Sequence, residues 1–415
     1  MLPSLNTDDE VLASMFEESI AVALASIQTA KDGSHYLSAG PKYSNPPRTY
    51  YRDSYWTSGL ILMMDPSIVR EQILRLATGV EADGSVPSAI TVDSNNLKIP
   101  LWLDHHDSGP FFIMMVYDYI RWTGDTSILN AYIGHRTVFV IMEDILTHLL
   151  SLDTNGNFLP EKPADSLQDW LDSIPRGGEV LYDEVLYYRA LRNMVELSQL
   201  RGYPTHATVF HRISLLVRYQ INAQFWSDST GSFYERCENK TCVERLTNES
   251  SLAILYEVIY PKHRERFFET LKQLETEWGV VNAVPAYEGF KGGSYQNATD
   301  WPVLDGMNAG ARLKYGNADW YFPMTQWWIS FDQERQPGEM LPEFVSPSDT
   351  STGLSQAWSV NPIVSFIRYG LGLDPAMDGS YTIRSSPTKD VELKNVWVRG
   401  QQITIQSKQK KTSAN

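Results

Sequence analysis

Cysteine is almost missing from this 415-residue chain: only Cys237 and Cys242 occur, in the run Arg-Cys-Glu-Asn-Lys-Thr-Cys. Two thiols cannot staple a fold of this length, so a packed core must hold it. The simpler expectation is a pair of reduced thiols in a cytosolic protein, with a small disulfide loop if the chain is secreted. Positive charge is also scarce. Thirty-five Lys and Arg against 50 Asp and Glu leave a formal charge of −15 and a pI near 5.0. That balance argues against a nucleic-acid or anionic-membrane partner and is compatible with a neutral substrate. No apolar run approaches the ~18 residues of a membrane span, and the N-terminus lacks a basic segment followed by an apolar one. A soluble, cytoplasmic protein is expected. Three sequons, at Asn239, Asn248 and Asn297, pull toward secretion instead.

Several chemistries lack their residues. There is no Gly-rich phosphate loop, no nucleophile elbow and no pair of histidines at metal-binding spacing. His105-His106-Asp107 is the best metal-like cluster. Neighbours on a helix or strand point apart, however, so no metal site is expected from it. Nothing in the chain asks for an organic cofactor.

What is abundant is helical pattern and aromatic surface. Hydrophobic residues make up 42% and charged residues 20% of the chain, which supports a large core and argues against disorder. Leu12, Phe16, Ile20, Leu24 and Ile27 recur at helical spacing after a cap at Asn6-Thr7. Further helices are expected over 110–123, 126–150, 179–200, 204–225, 250–259, 263–277, 321–331 and 354–371. Residues 301–320 read as loop. Gly124-Asp125 ends one helix and caps the next, a short link that predicts a helical hairpin. Turns of related form recur at Asp83-Gly84, Asp153 to Gly156 and Asp228 to Gly231, with Asp32-Gly33 a shorter echo. The first three lie at intervals that fit two helices and their loops, which suggests repeated hairpins closing on themselves. The run from Asp153 resembles half a calcium loop, but Ala164 stands where the twelfth ligand would be, and a plain turn is expected. From Asp374 the pattern changes to alternation, Val391, Leu393, Val396, Val398, Ile403 and Ile405, with turns at Lys394-Asn395 and Arg399-Gly400. The expected fold is therefore all-α, an (α/α)6 toroid over 1–373. A small antiparallel β appendage over 374–415 would follow, ending in a disordered tail from 408.

The candidate chemistry lies in carboxylates beside aromatics. They occur in Arg52-Asp53-Ser-Tyr-Trp56, Trp102-Leu-Asp104-His-His-Asp107, Asp169-Trp170-Leu-Asp172, Trp301 to Asp305, Asp319-Trp320, and Glu339-Met-Leu-Pro-Glu343 before Gln356-Ala-Trp358. A large aromatic lowers the local dielectric and raises a carboxyl pKa, so the acid keeps a proton near neutrality. Any one of these is more often a helix cap beside a core Trp. Several precede predicted inner helices, and in a toroid they would converge on one rim.

Three segments, SLQDWLDS…RGGEVLYDEVLYYRAL, MLPEFVSPSDTSTGLSQAWSV and TYYRDSYW, resemble the glucosidase part of glycogen-debranching enzymes and the related family 63 glycoside hydrolases. The resemblance covers roughly residues 49–371 and implies the (α/α)6 barrel. It also implies an inverting, exo-acting α-glycosidase, amylo-α-1,6-glucosidase-like, with carbohydrate as its partner. By motif it assigns Asp172 as general acid and Glu343 as general base, with Glu339 as a rival. Arg52, Asp53, Trp56, Trp102, Asp107, Trp170, Arg176 and Trp358 would line the sugar pocket. Inversion needs the two carboxyls ~6.5–9.5 Å apart, leaving room for the attacking water. The segment after Glu343 departs from the debranching pattern and the chain lacks the transferase half, so glycogen itself is not implied. Two other readings keep the barrel: a non-catalytic sugar-binding protein, and a sugar epimerase, for which eight His offer few facing bases.

Overall fold

The computed structural model describes residues 1–43, 45, 47–92, 98–335, 338–348 and 355–409. Twelve α-helices are described in it: α1 (Glu10–Ala25), α2 (Tyr51–Met64), α3 (Pro66–Ala77), α4 (Ser108–Thr123), α5 (Val138–Ser151), α6 (Leu181–Leu200), α7 (Pro204–Gln220), α8 (Leu252–Leu255), α9 (Pro261–Leu271), α10 (Pro302–Tyr315), α11 (Tyr321–Glu334) and α12 (Asn361–Ser365). The even-numbered helices form the inner wall. α2 packs on α4, α4 on α6, α6 on α8, α8 on α10, α10 on α12, and α12 returns to α2, so the ring closes. Odd-numbered helices lie outside it, α3 against α2 and α4, α5 against α4 and α6, α7 against α6, and α11 between α10 and α1.

Composition decides which helix goes where. In α4, Ser-Gly-Pro-Phe-Phe-Ile-Met-Met-Val-Tyr-Asp-Tyr-Ile-Arg-Trp is buried throughout, as a helix apolar on every side must be. α7 buries only Ala207, Ser214 and Val217 and takes an outer place.

Several boundaries differ from expectation, each for a local reason. Helix α1 is capped by Asp9, which accepts from Leu12 N at 3.2 Å. Asn6 and Thr7 belong instead to the strand Ser4–Thr7, paired antiparallel with Val391–Val398. The helix expected from Thr126 starts only at Val138, because Thr126–Asn130 is a 3₁₀ turn and a two-residue hairpin follows around Gly134, at φ 61. The pair expected near 250–277 is shorter than its pattern, α8 being a single turn.

Helix α10 occupies a stretch expected to be loop, since Gly306 and Gly310 interrupt its pattern. Those glycines admit α12: an added Cβ would lie 2.5 Å from Asn361 Nδ2 at the first and 2.9 Å from Ser365 Oγ at the second. Its legible signals are Pro302 at the first turn and the left-handed Gly316 just beyond the end. Residue 354, where the final helix is expected to begin, lies outside the described residues; helical structure is found from Ala357.

The all-α expectation holds for the barrel and not for its connections, which carry seven of the eight small sheets among the described residues. In the C-terminal sheet Lys394-Asn395 is a bulge inside a strand rather than a turn, with Asn395 at φ 58. The turn at Arg399-Gly400 is where it was expected. Lys408 and Gln409, expected in a disordered tail, are held by Asp390 at 2.9 and 2.8 Å; residues 410–415 lie outside the described residues. The repeated Asp–Gly turns are borne out, with Gly33, Gly84, Gly156 and Gly231 all at positive φ. Asp153 caps its own loop, accepting from the backbone N–H of Gly156, Asn157 and Phe158.

The reduced-thiol expectation is corrected. Cys237 and Cys242 face each other across the hairpin of Arg236–Glu238 and Thr241–Val243 and are joined in a disulfide. Of the sequons, Asn239 is exposed at that hairpin's tip, whereas Asn248 and Asn297 are buried.

Candidate active site

The aromatic-carboxylate segments converge because nearly all of them stand at the N-terminal ends of inner helices. Arg52 and Asp53 lie in the first turn of α2, and Asp107 stands immediately before α4 without a side-chain capping bond. Residues 166–180 lead into α6, Asn248 and Glu249 into α8, Asp300 and Trp301 into α10, and 339–360 into α12. Their side chains meet across the ring, Arg52 with Asp107, Asp53 with Gln356, and Trp170 with Glu249 and Trp301, so these ends share one rim.

At its centre stands Arg52, buried and bonded through Nη1 to Asp107 Oδ2 at 2.8 Å. Asp107 also meets His105 Nδ1 at 2.9 Å and accepts from Tyr182 Oη at 3.2 Å. Burial would raise the Asp107 carboxyl, but Arg52 and His105 outweigh it and bring it down to about 2. The Arg52 guanidinium lies over the Trp358 ring, 5.4 Å from its centroid. Neighbouring Asp53 is pushed the other way, up to about 6, by burial with Arg52 pulling back, and it accepts from Gln356 Nε2 at 3.2 Å.

Two further carboxyls face this cluster from different loops. Asp172 is partly buried, and that burial raises its pKa against the pull of Arg52 and His105. Glu343 is pushed up to about 7, first by burial and further by the charges of Asp53 and Asp172. It accepts from Tyr43 Oη at 2.9 Å, which pulls the other way. Tyr295 senses both: burial raises its hydroxyl pKa, and the charges of Glu343 and Asp172 add to that. Gln296 completes the acid's surroundings. Its side chain hydrogen-bonds Asp172, accepts from Ser173 N and Oγ at 2.9 and 2.6 Å, and donates to Trp170 O at 2.6 Å.

Beneath the acid lies a buried ion cluster. Arg176 donates Nε and Nη2 to Asp169 at 2.9 and 3.1 Å and Nη1 to Glu249 at 2.5 Å. Lys162 joins Asp169 and, at 2.6 Å, Asp183. Burial would raise Asp169, but Arg176 and Lys162 hold it well below the usual range. The Trp170 indole N–H donates to Glu249, and its ring meets Trp301 edge-on at 5.4 Å.

The structure thus brings Arg52, Asp53, Asp107, Asp172, Glu343 and Trp358 together. It places Trp170 and Arg176 below the surface, 2% and 1% exposed, as the support of the acid's loop. Trp56 is buried in the ring interior against Tyr55 and Phe111. Trp102 is 52% exposed on a left-handed turn, φ 47. Sequence reasoning missed Tyr43, Gln296 and Tyr295, which sit on loops without periodicity; Tyr43 had no signal beyond its aromatic ring.

Gly177 fixes the loop's return. Arg176 N reaches Ser166 O at 2.9 Å, and an added Cβ at Gly177 would lie 2.2 Å from Pro163 O. Gly177→Ala is expected to displace Asp172, so any turnover this site supports should fall at least tenfold while far-UV circular dichroism stays unchanged.

No protein-family model matches the sequence, and no curated protein matches it. Solved structures do. A rhamnosidase from Klebsiella oxytoca with rhamnose bound superposes with a TM-score of 0.66 at 16% identity, covering 88% of this chain and 65% of its own. The GH78 family rhamnosidase of a Bacillus species gives 0.70 at 18%, covering 97% of this chain and 40% of its own. The chain thus spans less than two thirds of either rhamnosidase. The GH63 mannosylglycerate hydrolase from Thermus thermophilus, in complex with glucose, gives 0.63 at 12%, covering 85% and 99%. At such identities the likeness establishes one thing: this chain shares the fold of these glycoside hydrolases.

Proposed function

We propose that this protein is an inverting glycoside hydrolase that removes a terminal sugar from an α-glycoside, with Asp172 as general acid and Glu343 as general base. One observation carries the reading. Asp172 and Glu343 come from loops leading into α6 and α12, are both pushed up in pKa by burial, and lie close enough for the charge of one to raise the other. Asp172 would protonate the leaving glycosidic oxygen while Glu343 takes a proton from water attacking the opposite face. Glu343 is preferred to Glu339 because its carboxyl meets Tyr43 and senses Asp53, Asp172 and Arg52. Arg52, Asp53 and the Trp358 face are proposed to hold the sugar. The neighbours described as acting on rhamnose glycosides and mannosylglycerate widen the substrate panel beyond glucose.

The test is proton NMR of reaction mixtures over α-glucosides, α-mannosides, α-rhamnosides and glyceryl glycosides. A β-anomer released first supports the reading; an α-anomer, or binding without turnover of any of them, overturns it. The pH profile adds a check. Glu343 must be ionised in the free protein, so kcat/KM is expected to fall as pH drops below about 7. Glu343→Gln should remove that limb together with the activity.

A further inference from the structure

Asp300 and Asp305 form a second pair of carboxyls, which the proposed chemistry does not use. Both are wholly buried. Asp300 Oδ2 accepts from Val280 N at 2.8 Å, and Asp305 Oδ1 accepts from Asn248 Nδ2 at 2.7 Å. The remaining oxygens, Asp300 Oδ1 and Asp305 Oδ2, are buried without a hydrogen-bond partner, and the two carboxyls lie near enough to act on each other's titration. Two ionised carboxylates cannot satisfy each other, since neither brings a proton, and the dry surroundings disfavour two adjacent negative charges.

Arg312 is the cation that senses Asp305, and it does so without forming an ion pair with that carboxyl. Glu275 adds negative charge to Asp305, and Arg312 donates to Asn308 at 2.9 Å and lies 3.6 Å from Glu275. Among the described residues no cation pairs with either carboxyl. A single proton bridging the two satisfies both orphaned oxygens at once.

The bridge is tied to the catalytic loop. Asp300 exchanges both backbone hydrogen bonds with Val345, at 3.0 and 2.8 Å, two residues beyond Glu343. Trp301, next in the chain, stacks on Phe344 at 5.6 Å and 26°. Asp305 belongs to α10, an inner helix of the ring. We propose that Asp300 and Asp305 share one proton and act as positioning residues for Glu343, riveting the segment that carries the base to the N-terminus of α10. The positioning role rests on the reading of Glu343 as base; the shared proton does not.

Burial raises both carboxyls, Asp300 to about 8 and Asp305 well above its usual value. Above that pH the bridge loses its proton and the two charges repel. The first measurement is intrinsic tryptophan fluorescence of the ligand-free full chain between pH 6.5 and 9.5, since Trp301 stands beside the bridge. The wild type is expected to show a transition near pH 8 that persists in Glu343→Gln and is absent in Asp305→Asn, where an amide donates permanently. The second is the ratio of kcat/KM, Asp305→Asn over wild type. It should rise about tenfold per pH unit above about 8, because any titration of Asp172 is common to both proteins and cancels. A flat wild-type fluorescence curve, or the same transition in Asp305→Asn, overturns the shared proton. A ratio that does not change with pH overturns the positioning role. Failure of the wild type to hydrolyse any glycoside, with the transition present, overturns the proposed function and leaves the bridge standing.

Discussion

Asp172→Asn should abolish hydrolysis while leaving the fold and sugar binding in place. The amide keeps the shape of the carboxyl and can hydrogen-bond Gln296, but it has no proton to give the leaving oxygen. General acid catalysis contributes about 10²–10⁴ in rate, so kcat is expected to fall by at least about a hundredfold with KM little changed. A glycoside with a good leaving group tests the assignment more closely. A phenolate of low pKa needs no protonation, so Asp172→Asn should retain far more activity on a dinitrophenyl glycoside than on an alkyl one. Glu343→Gln should lose both alike, because water activation is needed in each case. Equal losses on the two substrates in Asp172→Asn would remove Asp172 from the acid's role.

The second large effect concerns stability. Arg176→Met keeps an unbranched stem and removes the fork that pairs Asp169 and Glu249. Both carboxylates are buried; Glu249 loses its charged partner and Asp169 keeps only Lys162, so the variant leaves charge under-compensated in the interior at a cost of about 3–5 kcal/mol. For a chain of this size that corresponds to a drop in Tm of about 5 °C. The pH dependence gives the sign. In the wild type Asp169 sits below its unfolded value, so its contribution is present above the unfolded pKa and disappears as pH falls through the folded one. In the variant the Asp169 pKa rises instead, and the stability gap between the two proteins should narrow on acidification. A gap constant from pH 4 to 8 would show that Arg176 contributes packing rather than charge.

Much of the barrel was legible because inner and outer helices differ in composition. The all-round apolarity of α4 and the Asp–Gly turns both follow from where the chain must be dry and where it must reverse. Helix α10 was not legible, since its glycines obey close contact with α12 and not helix propensity. The proposed catalytic pair, Asp172 and Glu343, was legible through its motifs, which lie beside aromatics on loops leading into inner helices. The residues that set their environment were not. Tyr43 and Tyr295 reach the site only through tertiary folding, and nothing local in the sequence encodes that. Trp170 and Arg176 illustrate the converse, since their motif announces the site while burial gives them the part of its foundation.

The closed ring has a kinetic consequence. Tyr43 reaches Glu343 and Asp53 reaches Gln356 across 300 and 303 residues of chain, contacts that form only when α12 has docked on α2. Loop closure over such a span is entropically late, and topologies rich in distant contacts fold slowly. A nascent chain is therefore expected to hold Asp172 and the cluster around Arg52 in partly built form, without Glu343, until the last inner helix arrives. Activity during refolding should lag behind recovery of helical signal, and the proposed catalytic pair would mark completion of the circle.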